Sequence, residues 1–162
     1  MRNIGFAEII SRLAAQKVEF VVVGMTSGIL QGVPVTTLDL DIVHRRTADN
    51  IERLLHVLAD LDATYRHDPR SLRPKASHLA GPGHQLLRTS LGDLDCLGTI
   101  DDEKSYEDLL PRTIELRLDD EVAVRVLELS ALIESKERAA RPKDLAVLPY
   151  LRATLDEIRR RS

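Results

Sequence analysis

Two aspartates at alternate positions after a glycine turn are the feature that most constrains how this chain can fold. The turn begins at Gly24, directly after the apolar run 18–23, and the next apolar run, 38–43, carries Asp39 and Asp41. Side chains alternate between the faces of a strand, so the two aspartates would share a face about 7 Å apart. A divalent cation between them would relieve their repulsion. Because strand carboxylates suit Mg²⁺ held together with substrate phosphates, the stretch predicts nucleotide chemistry.

Composition is that of a globular protein with one domain. The chain has 162 residues, of which 43% are hydrophobic and 30% charged, and its net charge of −3 gives no overall footprint for nucleic acid. The single cysteine, Cys96, excludes an internal disulfide and a Cys-rich zinc site. No apolar run approaches the roughly 20 residues that span a bilayer, and no signal-peptide pattern begins the chain. We therefore expect a cytoplasmic protein without a membrane partner.

Hydrophobic periodicity predicts an alternation of helices and strands. The expected elements are helix 4–16, strand 17–23, helix 26–30, strand 38–43, helix 48–61, strands 85–89 and 93–97, strands around 114–118 and 122–126, a helix 131–140 capped by Ser130, and helical pieces starting at Pro142 and Pro149. This order predicts an α/β (α+β) fold with a mixed sheet flanked by helices. We expect one domain over 1–162, with a sheet core at about 18–127 and a C-terminal helical part at about 130–160.

A third carboxylate is needed if two metal ions are to act on a triphosphate. Asp95 lies in the apolar run Leu94-Asp95-Cys96-Leu97, where an acidic side chain is unlikely to serve packing alone. Asp93 is an alternative on the same face, but its neighbour Gly92 favours a turn. We therefore expect Asp95 to join Asp39 and Asp41.

The turn at Gly24 would let a phosphate approach backbone N–H groups at the start of a short helix, and Thr26 and Ser27 could add hydroxyl donors. Taken alone, the turn is more often a strand–turn–helix without a ligand, and two aspartates on an edge strand can simply be solvated. The turn, the aspartate pair and the later Asp95 together favour a nucleotide site.

These residues resemble the minimal nucleotidyltransferases of the DNA polymerase β-like superfamily, with most similarity to the abortive-infection-type (AbiEii-like) toxin branch. The matching positions, in the same order over roughly 18–150, are Gly24, Ser27, Gly32, Thr37, Asp39 and Asp41, then Gly92 and Asp95, then Leu132-Ile133-Glu134-Ser135-Lys136 and Arg141-Pro142-Lys143-Asp144. Three positions depart from the family pattern: Met25, Gln31 and Val35. They put substrate choice and catalytic efficiency in doubt more than metal binding, since all three carboxylates are present.

The resemblance implies a nucleotidyltransferase fold with C-terminal helices and an enzyme that moves an NMP from an NTP to an RNA, protein or small-molecule acceptor. It implies Mg²⁺ or Mn²⁺ held by Asp39, Asp41 and Asp95, which are also the expected catalytic residues. The nucleotide-binding residues that it implies are Gly24, Met25, Thr26, Ser27, Lys136 and Lys143. A toxin–antitoxin system, with an antitoxin as partner, is one form of this function.

Two basic regions have alternative interpretations. Lys136 and Lys143 could instead lie on a solvated helix surface, and Arg141 with Asp144 would pair and fix the break between two helices. Segment 64–85 is predicted to be a long basic loop, either a mobile surface loop or one that receives an acceptor or covers the triphosphate.

Two other classes of function stay open. The chain could be a catalytically silent nucleotide-binding protein, such as an antitoxin or a regulatory subunit, which the departures at Met25 and Val35 favour. It could also be a structural α/β interaction domain whose aspartates lie on the surface.

Overall fold

The chain alternates helices and strands, and a computed structural model describes it from residue 4 to residue 162. Within this range the elements are α1 (Ile4–Ala15), β1 (Phe20–Val23), α2 (Gly24–Leu30), β2 (Asp39–His44), α3 (Ala48–Asp60), β3 (Thr64–Tyr65), α4 (Ala76–Ala80), β4 (His84–Thr89), β5 (Gly92–Leu97), α5 (Tyr106–Leu109), β6 (Thr113–Arg117), β7 (Ala123–Leu127), α6 (Leu129–Ala139) and α7 (Pro142–Arg161). A short 3-10 turn, Leu110–Arg112, follows α5.

The strands form one mixed sheet of seven, in the order β3-β4-β5-β2-β1-β7-β6. The pairs β2–β5 and β1–β7 are parallel, and the other neighbours are antiparallel. Hairpins connect β4 to β5 and β6 to β7, whereas the parallel pairs need long connections that contain helices. The mixed α/β fold predicted from the sequence is confirmed.

Each face of the sheet carries its own apolar core. Leu40 and Ile42 of β2 face one core, which also contains buried side chains of α1 and α3. Val43 of β2 faces the other core, which contains buried side chains of α6 and α7. Because side chains alternate along a strand, Asp39 and Asp41 point to the same face as Val43. The two aspartates therefore lie beneath the C-terminal helices.

Segment 64–85 is more ordered than a basic loop, and that prediction is wrong in part. Thr64 and Tyr65 form β3, which pairs with Arg88 and Leu87 of β4. Five residues, Ala76–Ala80, form α4, and its Leu79 is fully buried. An edge strand of two residues is too short to produce a hydrophobic period, so the sequence pattern does not reveal it.

The C-terminal helices differ from the prediction at two residues. Ser130 lies inside α6, whose N-cap is Glu128, and Pro149 lies inside α7 instead of starting a new helix. The expected break is present, because Ala140 has a φ of 51° and Pro142 begins α7. Buried Leu148 and Leu151 hold α7 against the sheet on both sides of Pro149. Among the described residues, no helix has both the length and the apolar character needed to cross a bilayer.

Candidate active site

Four aspartates lie together on the sheet face beneath α6 and α7. In the parallel register of β2 and β5, Asp39 is beside Asp93 and Asp41 is beside Asp95. Neighbouring residues of paired strands point to the same face, so these carboxylates form two adjacent rows. We call this group of four the acidic face. Asp93 is thus part of a strand, and its interpretation as a turn residue is wrong.

Asp41 and Asp95 are the inner pair of the acidic face. Asp95 is 7% exposed, and Asp41 Oδ1 is buried without a hydrogen-bond partner among the described residues. Within residues 4–162, the other buried side-chain atom without a partner is Nδ1 of His44, on the opposite face of the sheet. Burial first, and then the neighbouring Asp95 carboxyl, raise the pKa of Asp41 from its ordinary value of 3.8 to about 8. The raised pKa of Asp41 favours its protonated form near neutral pH when no ligand is bound.

Asp39 is at the outer end of the acidic face and is half-buried. Its pKa is also raised, mainly by burial and then by Asp95, while Arg66 opposes the shift. Like charges that share a low-dielectric site favour proton uptake or the binding of a cation. The carboxyl groups of Asp39 and Asp41 thus share one electrostatic environment.

Gly24 makes room for the Asp41 carboxylate. Its φ is +62°, and a Cβ at this position would lie 2.5 Å from Asp41 Oδ2. Both the left-handed backbone and the close contact favour glycine here. The turn residue singled out in the sequence therefore has a direct structural link to the aspartate pair.

The residues after Gly24 are placed differently from what the sequence suggests. Thr26 and Ser27 are buried, and their hydroxyls donate to backbone carbonyls of Asp39 and Gly24, at 3.2 and 2.6 Å. Neither hydroxyl is free to act as the phosphate donor that the sequence suggests. Met25 is half-buried and lies with Gly24 on the wall of the cavity above the acidic face.

Gln31 and Val35, two of the departures from the family pattern, have structural positions. The Gln31 side-chain amide donates to the carbonyls of Ser27 and Leu127, each at 2.9 Å, and so joins α2 to β7. Val35 is half-buried and packs against the core beneath α6 and α7. Both side chains therefore support the wall behind the site.

Lys136 and Asp144 form an ion pair at the other side of the cavity. Lys136 Nζ lies 3.2 Å from Asp144 Oδ1, and Arg141 Nε lies 2.6 Å from Asp144 Oδ2. Asp144 is completely buried. Burial alone would raise its pKa, but hydrogen bonds from Arg141 and Lys136 outweigh burial and hold the pKa at about 2. The predicted Arg141–Asp144 pair at the helix break is thus present.

Lys143 differs from Lys136 because it is exposed and makes no ion pair with another described residue. Its positive charge lowers the pKa of Asp39, although burial of Asp39 has the larger, opposite effect. Both lysines border the cavity. The C-terminal lysines and the acidic face therefore lie around the same space.

Arg66 is a site residue that the sequence analysis did not single out. Its guanidinium approaches two members of the acidic face, with Nη1 at 2.9 Å from Asp95 Oδ1 and Nε at 3.6 Å from Asp93 Oδ2. Nη1 also donates to the Leu87 carbonyl at 2.7 Å. Arg66 was grouped with the other cations of segment 64–85, and no periodic signal distinguishes it from them.

A cavity of about 610 Å³ lies over the acidic face. Its lining combines the carboxylates of Asp39, Asp41 and Asp95 with Arg66 and the two lysines, and apolar side chains complete the walls. This volume is within the range of small-molecule sites, about 300–1,000 Å³. The cavity can hold a ligand that carries both anionic and apolar groups.

The carboxylates have the donor chemistry of a Mg²⁺ or Mn²⁺ site, because they are hard oxygen ligands and Asp41 Oδ1 has no other partner. Yet within residues 4–162, no three His, Cys, Asp or Glu side chains are placed to hold one metal ion together. The expected trio therefore shares one face and one cavity without forming a closed three-ligand cluster. The oxygen donors of Asp39, Asp41 and Asp95 are of the type that such an ion prefers.

Cys96 is fully buried on the opposite face of β5. Burial, and to a smaller extent the Asp95 charge, raise the pKa of its thiol. A neutral buried thiol is a poor nucleophile.

The fold of this chain is similar to those of several solved structures, including the following two. One is TM1012 of Thermotoga maritima, assigned as a nucleotidyltransferase, with 20% identity, a TM-score of 0.56, and 94% of this chain and 91% of that chain covered. The other is the antibiotic-resistance factor ANT(2'')-Ia, with 13% identity, a TM-score of 0.60, and 93% and 82% covered. No protein-family model and no curated protein sequence matches the chain. At these identities the similarity establishes the fold alone.

Proposed function

We propose that the protein is a metal-dependent nucleotidyltransferase, which transfers an NMP from an NTP to an acceptor. The observation that carries this proposal is the Asp41–Asp95 pair, in which the half-buried Asp41 and the buried Asp95 line a cavity that two lysines also border. Neighbouring carboxylates that are shielded from water destabilise the folded protein more than apolar side chains would at the same positions. Binding of a cationic ligand is the simplest reason for their presence. The fold shared with TM1012 supports the same reaction class.

Asp39, Asp41 and Asp95 would hold the metal ions. When bound, divalent cations would neutralise the charge of the triphosphate and make the acceptor hydroxyl more acidic. In the reaction, the acceptor oxygen forms a bond to the α-phosphorus, the bond from that phosphorus to the pyrophosphate oxygen breaks with its electron pair going to pyrophosphate, and the acceptor proton passes to water. Asp95 is the carboxylate on the β4 side of the site, and we assign to it the orientation of the acceptor hydroxyl.

The triphosphate would lie between the acidic face and the C-terminal helices. Lys143 is exposed and has no partner among the described residues, so we assign to it the larger share of phosphate contact. Lys136 is held by Asp144 and would contribute charge from a fixed position. Gly24 and Met25 would offer backbone N–H groups, while Thr26 and Ser27 hold the turn through their buried hydroxyls.

The acceptor is an RNA, a protein or a small molecule in this proposal. The fold shared with an antibiotic-resistance factor favours including small molecules among the acceptors to be tested. A role as the toxin of a toxin–antitoxin pair, with an antitoxin as partner, is the more specific form of the proposal and rests on the sequence motifs alone.

Transfer can be measured with NTPs labelled at the α-phosphate, with Mg²⁺ or Mn²⁺ and either total RNA, cell-extract protein or a small-molecule mixture. We expect label in one acceptor fraction and release of pyrophosphate. The variant Asp95→Asn should lose the labelled product, and the exposed Asp120→Asn should keep it. Absence of a labelled acceptor with wild-type protein, under conditions in which the NTP binds, would overturn the transferase proposal.

A catalytically silent nucleotide-binding protein is the second candidate. The ion pair between Arg66 and Asp95 favours it, because that carboxylate is already engaged by a cation of the chain. This candidate predicts binding of NTP with Mn²⁺ and no turnover, in wild type and in Asp95→Asn alike.

A further inference from the structure

Arg66 reaches the acidic face because the sheet continues one residue beyond β3. The Arg66 N–H donates to the Leu86 carbonyl at 3.0 Å, and Leu86 lies beside Asp95, which lies beside Asp41. The four residues thus form one row across neighbouring strands. The row places the arginine side chain on the same face as the two inner carboxylates.

The contacts of Arg66 fix its guanidinium firmly. The side chain is 11% exposed; Nη1 donates to Asp95 and to the Leu87 carbonyl, and Nε lies within ion-pair distance of Asp93. A planar guanidinium held by a carboxylate and a backbone carbonyl has little freedom to leave for solvent. The Arg66 guanidinium therefore has a fixed position at the acidic face.

The basic side chains around the acidic face differ in the ion pairs that they form. Lys136 is paired with Asp144, and Lys143 reaches no carboxylate within ion-pair distance among the described residues. All ion pairs to the four aspartates that the structure describes come from Arg66. Its positive charge therefore balances part of a concentration of negative charge that would otherwise repel itself.

We propose that Arg66 is the resident counter-cation of the acidic face, and that a divalent cation binds there in competition with Arg66 for Asp95. The guanidinium uses Oδ1 of Asp95, and a metal ion sharing that carboxylate would meet the positive charge at close range. Metal affinity without nucleotide is thereby kept low, and the added negative charge of a triphosphate favours entry of metal and nucleotide together. This inference rests on the proposed function for the identity of the nucleotide, but its first test uses the metal alone.

The test is calorimetric titration of Mn²⁺ into the protein without nucleotide, comparing wild type, Arg66→Gln and Arg66→Lys. We expect Arg66→Gln to bind Mn²⁺ about tenfold more tightly, because removal of one close positive charge favours a divalent cation. Arg66→Lys keeps the charge but loses the planar, two-group contact, so its affinity should lie between the two. Arg70→Gln is the matched control, because Arg70 is exposed and pairs with Asp68 in the same segment.

Thermal unfolding gives a second measurement that a purely structural arginine would not produce. Without metal, Arg66→Gln should unfold at a lower temperature than wild type, and Mn²⁺ should raise its Tm by more than it raises that of wild type. If Arg66→Gln does not fold, the comparison of Arg66→Lys with wild type carries the test. An affinity for Mn²⁺ that is unchanged within about twofold, or weaker, in these variants would overturn the inference.

The two proposals fail separately. Wild-type transfer of NMP together with unchanged Mn²⁺ affinity in Arg66→Gln would overturn the role of Arg66 and leave the transferase in place. Tighter Mn²⁺ binding in Arg66→Gln with no transfer by wild type would support the counter-cation and overturn the transferase.

Discussion

Asp41 and Asp144 are two carboxylates at the same cavity with opposite surroundings. Asp144 is completely buried and accepts hydrogen bonds from the Arg141 backbone and side chain and from Lys136. Asp41 has one buried oxygen without a partner and faces other carboxylates. Consequently the pKa of Asp144 is held at about 2, whereas burial and Asp95 raise that of Asp41 to about 8.

The difference in surroundings distinguishes a carboxylate that stabilises the fold from one that is suited to bind a ligand. All the donors Asp144 needs come from the chain, and its interactions join α6 to α7. Among the described residues no donor reaches Asp41 Oδ1, so a cation or a proton would satisfy this oxygen. The following substitutions are arranged to test that contrast, beginning with the largest expected effect.

Asp41→Asn should lower the rate of NMP transfer about a thousandfold, equivalent to about 4 kcal/mol of transition-state stabilisation. The amide keeps the shape of the side chain but loses the charge that would bind a divalent cation. Initial rates with labelled NTP measure the effect. Asp120→Asn, in the exposed turn between β6 and β7, serves as control and should retain wild-type rates. A wild-type rate in Asp41→Asn would show that Asp41 takes no part in NMP transfer.

Asp144→Asn should destabilise the protein by about 2–3 kcal/mol, because it removes the charge that satisfies Lys136 and Arg141 from a buried position. Urea unfolding at pH 7 measures the change. Since the pKa of Asp144 is lowered in the folded state, its contribution is present above pH 3.8 and is lost as pH falls toward 2. The difference in free energy of unfolding between variant and wild type should therefore become smaller in acid. A larger difference in acid would contradict this role of Asp144.

Asp41→Asn should have the opposite effect on stability in the absence of metal. A raised pKa means that the folded state binds the proton more tightly than the unfolded chain, so wild type loses stability as pH rises from about 4 to about 8. We expect the Tm of the variant to exceed that of wild type by about 3 °C at pH 8.5, with little difference at pH 4. Scans across this range with Asp120→Asn as control provide the measurement. A difference independent of pH would contradict the raised pKa.

Gly24→Ala should cost about 1–2 kcal/mol, because φ is +62° and the new Cβ would lie 2.5 Å from Asp41 Oδ2. The displaced carboxylate should also lower transfer. Gly81→Ala is a suitable control, since its Cβ would come no closer than 3.7 Å to another atom at an ordinary φ. Equal stability losses in the two variants would exclude a specific role for the Gly24 turn.

The sequence is sufficient to predict that Asp39 and Asp41 share one face of β2. Alternation along a strand depends only on local geometry, so Asp39 and Asp41 could be assigned to one face without knowing the neighbours. The Arg141–Asp144 contact is also predictable, because an N-cap residue and the residue three positions later contact each other at the start of a helix.

Other parts of the site depend on pairing between distant segments. Asp93 sits beside Asp39 only because β5 pairs with β2 in one particular register, and the adjacent glycine suggested a turn. Arg66 reaches the site because the two-residue strand β3 pairs with β4. A strand this short leaves no periodic pattern in the sequence. The burial of the Ser27 hydroxyl likewise depends on packing that the motif does not encode.

The most direct test of the contrast between the two carboxylates is the rise in Tm that Mn²⁺ and an NTP produce together at pH 8.5, in wild type, Asp41→Asn and Asp144→Asn. If Asp41 awaits a ligand, wild type should gain about 5 °C at saturating ligand, Asp144→Asn should keep most of that gain from a lower starting Tm, and Asp41→Asn should gain almost nothing. An equal gain in Asp41→Asn and wild type, or no gain in wild type, would contradict the assignment of Asp41 as a ligand-binding carboxylate.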